Sequence, residues 1–169
     1  MSPLRATLGA IALLLAFVPA AAAGLATSIT HSKRLWATVN VCDTVGHPDS
    51  IGIRGSMPAS GDKTEVMFMR FQVQYFTPSD SLWHNLGAEA DSGFIQVGSA
   101  LHTRQSGITF TITPPRPGAG PYLLRGMVTF EWRENGVVVR HARKRTMPGH
   151  PKTAGADPVN YSEDTCSIT

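Results

Sequence analysis

Apolar and polar residues alternate along most of the chain, and this period of two limits the fold more than any other feature. The stretch LWATVNVC places Leu35, Ala37, Val39 and Val41 on one side, with Trp, Thr and Asn between them. Successive side chains of a β-strand point to opposite faces, so the alternation predicts strands with one buried face. No stretch shows the apolar period of an amphipathic helix, about 3.6 residues. An all-β fold is therefore predicted.

Turn-forming segments separate the alternating runs, among them GHPDS, MPASGD and PPRPGAGP. Several alternating strands divided by such turns are typical of an antiparallel sandwich or barrel. We predict about seven strands, at 35–42, 50–57, 66–76, 94–98, 108–113, 122–133 and 137–146.

The alternation also predicts which side chains form the core. The inward-facing residues with large side chains are Phe71, Phe110, Tyr122, Val128 and Phe130. Their polar neighbours, such as Gln72, are expected on the outer faces.

A hairpin is predicted where WRENGVVV joins the last two strands. Asn135–Gly136 suits a two-residue type I′ turn, in which both residues need a positive φ. That turn would place Glu131 opposite Arg140 on the outer face and His141 opposite Phe130 on the inner face.

This register decides how the basic cluster RHARKR, residues 140–145, faces solvent. It turns Arg140 and Lys144 outward, and Arg143 and Arg145 inward or to the rim. Two readings remain open: charges that guard an edge strand against aggregation, or a docking surface for an anionic partner.

The N-terminus has the organisation of a secretory signal peptide. Arg5 is followed by an apolar run from Leu8 to Val18 and by three alanines at 21–23. The apolar run is shorter than the roughly 20 residues that a membrane span requires. We predict cleavage near Ala23, an N-terminal extension at 24–34, no membrane span and a secreted protein.

The passage at 107–126 resembles the E-strand, corner and F-strand of immunoglobulin-like sandwiches. A short alternating strand leads into a Pro/Gly-rich turn, and Tyr122 takes the position of the corner tyrosine. Leu124 stands where antibody-type domains have a cysteine, so an inter-sheet disulfide of that kind is excluded. WATVNVCDT, MFMRFQVQYF, YLLRGMVTFEWR and TAGADP also resemble a group of uncharacterised secreted, actinobacterial-type proteins with an immunoglobulin-like domain. The resemblance implies a fold and an extracellular location, and no activity.

The two cysteines, Cys42 and Cys166, are expected to form a disulfide because exported proteins fold in an oxidising space. In immunoglobulin-like sandwiches the first strand often runs parallel to the last, which would bring the ends of 35–42 and 137–146 to the same pole. The Pro- and Gly-rich tail, 147–169, has too few large apolar residues to form its own core. A disulfide would tie this tail to the sandwich of residues 35–146.

Candidate catalytic and metal-binding residues are dispersed. No two histidines have the H-x-H or H-x-x-x-H spacing of a local metal site; they stand at 31, 47, 84, 102, 141 and 150. HPD at His47–Asp49 is a turn sequence, and ADSGF around Ser92 lacks the glycines of a protease nucleophile loop. We therefore predict no catalytic residue, metal or cofactor.

Partner binding is the remaining interpretation. The formal net charge of +3 is too small to indicate a nucleic-acid partner. Trp36 and Trp83 are possible contact residues beside Arg140 and Lys144, whereas Trp132 alternates with core residues. We expect a secreted, non-catalytic immunoglobulin-like module with a binding or structural role outside the cell. Its partner is not identified by the sequence; an anionic cell-envelope polymer and another protein are the candidates. The alternative is a small exported metal-binding protein or hydrolase that uses the dispersed histidines.

Overall fold

The structure is a computed structural model, and it describes residues 29–169. The predicted signal peptide, residues 1–23, and the start of the N-terminal extension lie outside the described residues. In the described part of the chain, no helix has the length and apolar character needed to cross a membrane.

Nine strands account for most of the described residues, and the predicted all-β fold is confirmed. Two of them, β4 and β9, have no counterpart in the predicted seven. The strands are β1 (Trp36–Thr44), β2 (His47–Met57), β3 (Glu65–Thr77), β4 (Leu82–Asn85), β5 (Asp91–Ser99), β6 (Arg104–Thr111), β7 (Tyr122–Glu134), β8 (Val137–Arg145) and β9 (Thr165–Ile168).

The strands form two antiparallel sheets that pack face to face as a sandwich. One sheet has three strands in the order β1-β2-β6. The other has six: β4, β3, β7 and β8 are adjacent in that order, while β5 also pairs with β3 and β9 with β7. Apart from β4, whose Leu82 is exposed, the strands contribute apolar residues to the core between the sheets.

The predicted core is largely correct. Phe71, Val128 and Phe130 are fully buried, and Phe110 is 8% exposed. The prediction for Tyr122 is wrong, because its side chain is 40% exposed. Tyr122 is the first residue of β7 and lies at an open end of the sandwich, beyond the closely packed core.

The β7–β8 hairpin contains a bulge that the sequence did not reveal. Asn135–Gly136 adopts positive φ at both residues, as predicted, and Arg133 pairs with Val138. The next pair is Trp132 with Arg140, so Val139 is an extra residue on β8. The predicted pairings of Glu131 with Arg140 and of Phe130 with His141 are therefore wrong by one residue; Glu131 pairs with His141.

The bulge reverses the two faces of the basic cluster. Arg140 and Lys144 lie on the inner face, half-buried, and Lys144 is opposite the buried Val128. Arg143 and Arg145 point to solvent. A shift of one residue moves every side chain of a strand to the other face.

The first strand is flanked by the C-terminal tail, and the predicted parallel pairing with the last strand of the hairpin is not found. β1 pairs with β2 through one edge. Its other edge meets the tail, where Val39 bridges to Glu163 and Val41 to Asp157. The tail also covers the outer face of β1, so that Thr38 and Asn40 are 0% and 5% exposed.

The predicted disulfide is confirmed between Cys42 and Cys166, whose Cα atoms lie 5.4 Å apart. Cys166 belongs to β9, which pairs with the start of β7 and places Cys166 opposite Leu124. The tail therefore enters the six-stranded sheet, and the disulfide joins the two sheets.

Candidate functional site

The outer face of the six-stranded sheet is rich in arginine. On β7 the even-numbered residues from 124 to 132 are buried, so the odd-numbered ones point outward. The outward residues include Arg125, and the neighbouring strand β8 adds Arg143 and Arg145. We call these three residues the arginine face.

Two further arginines on this side of the sheet are already neutralised. The Nε of Arg70 donates a hydrogen bond of 2.8 Å to Asp91 Oδ1. Arg133 forms an ion pair of 2.6 Å with Glu131. Their positive charges are matched locally, unlike those of the arginine face.

Arg125 is held in place by contacts along its length. Its guanidinium carbon lies 4.3 Å from the centre of the Trp83 ring, the distance of a cation–π contact. Its Nε donates a hydrogen bond of 2.9 Å to Gln74 Oε1, and Gln74 in turn donates to Asn85. Burial, together with the nearby positive charge of Arg145, lowers the pKa of Arg125 from its usual value. No carboxylate of residues 29–169 forms an ion pair with it.

Arg143 and Arg145 are the freest cations of the cluster. Both are exposed, and within residues 29–169 neither side chain makes a hydrogen bond or an ion pair. Arg145 lies opposite Met127 and Arg143 opposite Thr129, so the arginine face occupies three successive outward rows. Such rows are about 6.6 Å apart along a strand.

Arg140 and Lys144, the predicted contact residues of the basic cluster, lie on the inner face of the sheet and not on the arginine face. Arg140 forms an ion pair with Glu65, whose side chain is only 4% exposed. Lys144 lies beside the core. The prediction that these two residues point outward is wrong because the bulge at Val139 changes the register.

Trp36 and Trp83, the predicted contact residues, lie in different sheets. Trp36 on β1 stacks on His150 of the tail, with ring centroids 4.2 Å apart. Trp83 lies in the other sheet and has one side occupied by Arg125. Trp132 is fully buried and donates from Nε1 to the carbonyl of Pro58 over 3.3 Å.

Among residues 29–169, two histidines are each paired with one carboxylate. His47 Nδ1 lies 3.1 Å from Asp157, and His84 Nε2 lies 2.7 Å from Asp80. Across residues 29–169, no group of three or more His, Cys, Asp or Glu side chains is arranged to hold a metal ion.

The hydroxyl of Ser92 has a structural role in the start of β5. It donates to the carbonyl of Gly93 over 2.7 Å and accepts the backbone N–H of Phe71 over 2.9 Å. The bond with Phe71 ties β5 to β3 at a register shift, and the bond with Gly93 lies within β5.

Two features were missed by sequence reasoning although the alternation contained a signal for both. Glu65 shares its side of β3 with Met67 and Met69, so its burial follows from the same periodicity. Arg125 stands on the outward side of its predicted strand. Its stacking on Trp83 depends on the pairing of β4 with β3, which the sequence did not indicate.

No protein-family model matches the chain, and no curated protein sequence matches it. The fold and its surface are therefore the basis for a functional proposal.

Proposed function

We propose that the chain is a secreted, non-catalytic immunoglobulin-like module that docks through its arginine face onto an anionic polymer of the cell envelope. The observation that supports this proposal is a set of three outward arginines, Arg125, Arg143 and Arg145, that form no ion pair with any carboxylate of residues 29–169. The other two arginines of the same sheet face are neutralised by Asp91 and Glu131.

The chemistry of arginine favours phosphate or carboxylate groups as the partner. A guanidinium is planar and always charged, and it can donate two parallel hydrogen bonds to one such group. The three rows of the arginine face suit a polymer with repeated charges better than a single small anion. Arg125 is already ordered by Trp83 and Gln74, so less conformational entropy is lost when it binds.

The proposed location rests on the disulfide and on the predicted signal peptide. Disulfides persist in extracellular and other oxidising compartments and are rare in the cytosol. The two antiparallel sheets support the immunoglobulin-like assignment, although their nine strands exceed the seven of the simplest such domain.

The test is binding of the purified protein to immobilised polyphosphate and to polyglutamate, which present phosphate and carboxylate groups. We expect retention that falls as salt rises, because mobile ions screen exposed charges over about 8–10 Å. Retention should fall further in the Arg143→Ala/Arg145→Ala double variant.

The matched control is the Lys63→Ala/Arg116→Ala double variant. It removes the same net charge from two exposed loop residues outside the arginine face. If the control lowers retention as much as the arginine-face variant, net charge alone drives binding and the proposed surface is wrong. If neither polymer retains the protein at low salt, the docking function itself is contradicted.

A further inference from the structure

A cleft of about 590 Å³ opens at the end of the sandwich where β7 begins. It lies between the inner face of the six-stranded sheet and the chain that leaves β6. Small-molecule sites in proteins typically occupy about 300–1,000 Å³. Leu86 and Ile112 give the cleft apolar walls, and Thr111 and Thr113 add hydroxyl groups.

Two tyrosines line the cleft from neighbouring strands. Tyr75 lies near the end of β3 and is paired with Leu124, two residues from Tyr122 on β7. Neither tyrosine hydroxyl forms a hydrogen bond with another residue between 29 and 169. Both residues line the cleft, and the Tyr75 ring also contacts the ring of His84, with the two centroids 5.6 Å apart. The face of an aromatic ring attracts cations.

Among residues 29–169, Glu89 is the one charged side chain that lines the cleft. It is exposed, and in the described part of the chain it has neither an ion pair nor a hydrogen bond. The Glu89 carboxylate lies close to the backbone of Gly87. A Cβ atom added to Gly87 would be 2.9 and 3.0 Å from the two carboxylate oxygens. The carboxylate therefore rests against the backbone of Gly87, at the edge of the cleft.

We propose that this cleft binds a small organic cation, an amine or quaternary ammonium with an apolar body. The apolar walls suit the body of such a ligand, and the two rings with one carboxylate suit its charge. An anion would be repelled by Glu89, whereas a neutral ligand would gain no attraction between opposite charges from it. The cleft lies on the inner side of the sheet and is negatively charged, so its ligand differs from that of the arginine face.

The experiment uses three soluble probes of similar size: benzyltrimethylammonium, benzyl alcohol and benzoate. Each is titrated into the isotope-labelled protein while the backbone amide resonances are followed by NMR. We expect benzyltrimethylammonium to shift the amides of residues 86–90 and 111–113 saturably. Benzyl alcohol should bind at least about tenfold more weakly, and benzoate should leave these amides unchanged.

Variants test the role of the carboxylate and of the ring. Glu89→Gln and Tyr122→Leu should each weaken binding of the cation by about threefold or more, as expected for exposed charge and cation–π contacts. Glu163→Gln is the matched control, because Glu163 is exposed and does not line the cleft. The melting temperature of each variant separates lost binding from lost folding.

Several results would overturn the proposal. Equal affinity for all three probes would indicate general apolar binding. If the Glu89→Gln variant binds the cation with the affinity of the wild type, the Glu89 carboxylate does not contribute to binding. If N-acetylglucosamine shifts the same amides and the cation does not, the cleft is a sugar site instead.

Discussion

Trp36 and His150 stack with their ring planes 10° from parallel and their centroids 4.2 Å apart. The stack joins β1 to a tail residue that follows the end of β8 closely in sequence. The backbone N–H of His150 donates to Ser162 Oγ over 2.9 Å, and Ser162 Oγ lies 2.8 Å from the hydroxyl of Thr38. Ring and hydrogen-bond contacts therefore hold the tail against the outer face of β1.

This stack predicts a pH dependence of stability. Burial lowers the pKa of His150 from its ordinary value of 6.5, so the unfolded chain takes up a proton more readily than the folded one. The stability that depends on an uncharged His150 is fully present above the pKa that His150 has in the unfolded chain. It is lost as the pH falls towards the lower pKa that His150 has in the folded protein. We expect the free energy of unfolding, measured with denaturant, to decrease from about pH 7.5 to about pH 5.5.

The matching variants are His150→Phe and His102→Phe. His150→Phe keeps an aromatic ring beside Trp36 and should flatten the pH dependence in this range. His102 is exposed, and its replacement should leave the dependence as in the wild type. If His150→Phe retains the full dependence, another group is responsible.

The disulfide is expected to contribute much of the stability of the fold. Cys42 and Cys166 are 124 positions apart, and closing a loop of this length contributes at most about 5 kcal/mol in the chain-entropy model. The Cys42→Ala/Cys166→Ala variant should unfold at lower denaturant concentration than the wild type. Thiol titration of the denatured, unreduced wild type should find no free thiol. Two thiols per chain would show that the bond does not form in the purified protein.

The sequence was sufficient to predict seven of the nine strands and most of their inner faces, because burial imposes a period of two on a strand. β7 illustrates this: its inward residues from Leu124 to Trp132 are buried as the alternation indicated. Tyr122 has the same parity and is nevertheless exposed, because alternation does not show where the opposite sheet ends.

The contacts of the tail could not be predicted in the same way. Thr38 and Asn40 have the polar character of an exposed face, yet the tail buries both. Asn40 donates to the carbonyl of Gly155 over 3.0 Å, so its amide is satisfied inside the protein. Such contacts depend on pairings between residues more than 100 positions apart, which leave no local pattern.

The candidate site was partly predicted: the basic strand was recognised, but the outward residues were assigned to the wrong face. One inserted residue, Val139, is enough to turn Arg143 and Arg145 to solvent and Arg140 and Lys144 to the inner face. A bulge is set by the partner strand and by contacts such as that of Arg140 with Glu65, and Val139 itself resembles its neighbours.

The core register can be tested with a pair of aromatic residues of the same strand. Phe130→Ala removes a fully buried ring and should lower the free energy of unfolding by about 3–5 kcal/mol. Tyr122→Ala acts on a residue that is 40% exposed and should cost about 1 kcal/mol or less. Denaturant titrations of both variants measure the difference. Equal costs would contradict the position of Tyr122 at the open end of the sandwich.

The ion pair of Arg140 with Glu65 gives the sharpest test of the bulge. Arg140→Ala would leave the buried carboxylate of Glu65 without its partner, and breaking such a pair typically costs about 3–5 kcal/mol. Arg143→Ala, on the exposed side of the same strand, should change stability by about 0.5 kcal/mol or less.

The Glu65→Met/Arg140→Met double variant completes this test. Replacing both partners with apolar side chains leaves no unpaired charge in the interior, so the double variant should be more stable than Arg140→Ala. The free energy of unfolding of all three variants is measured by denaturant titration. If Arg143→Ala proves more costly than Arg140→Ala, β8 has the unbulged register, and Arg140 and Lys144 face solvent after all. The arginine face would then lose two of its three members.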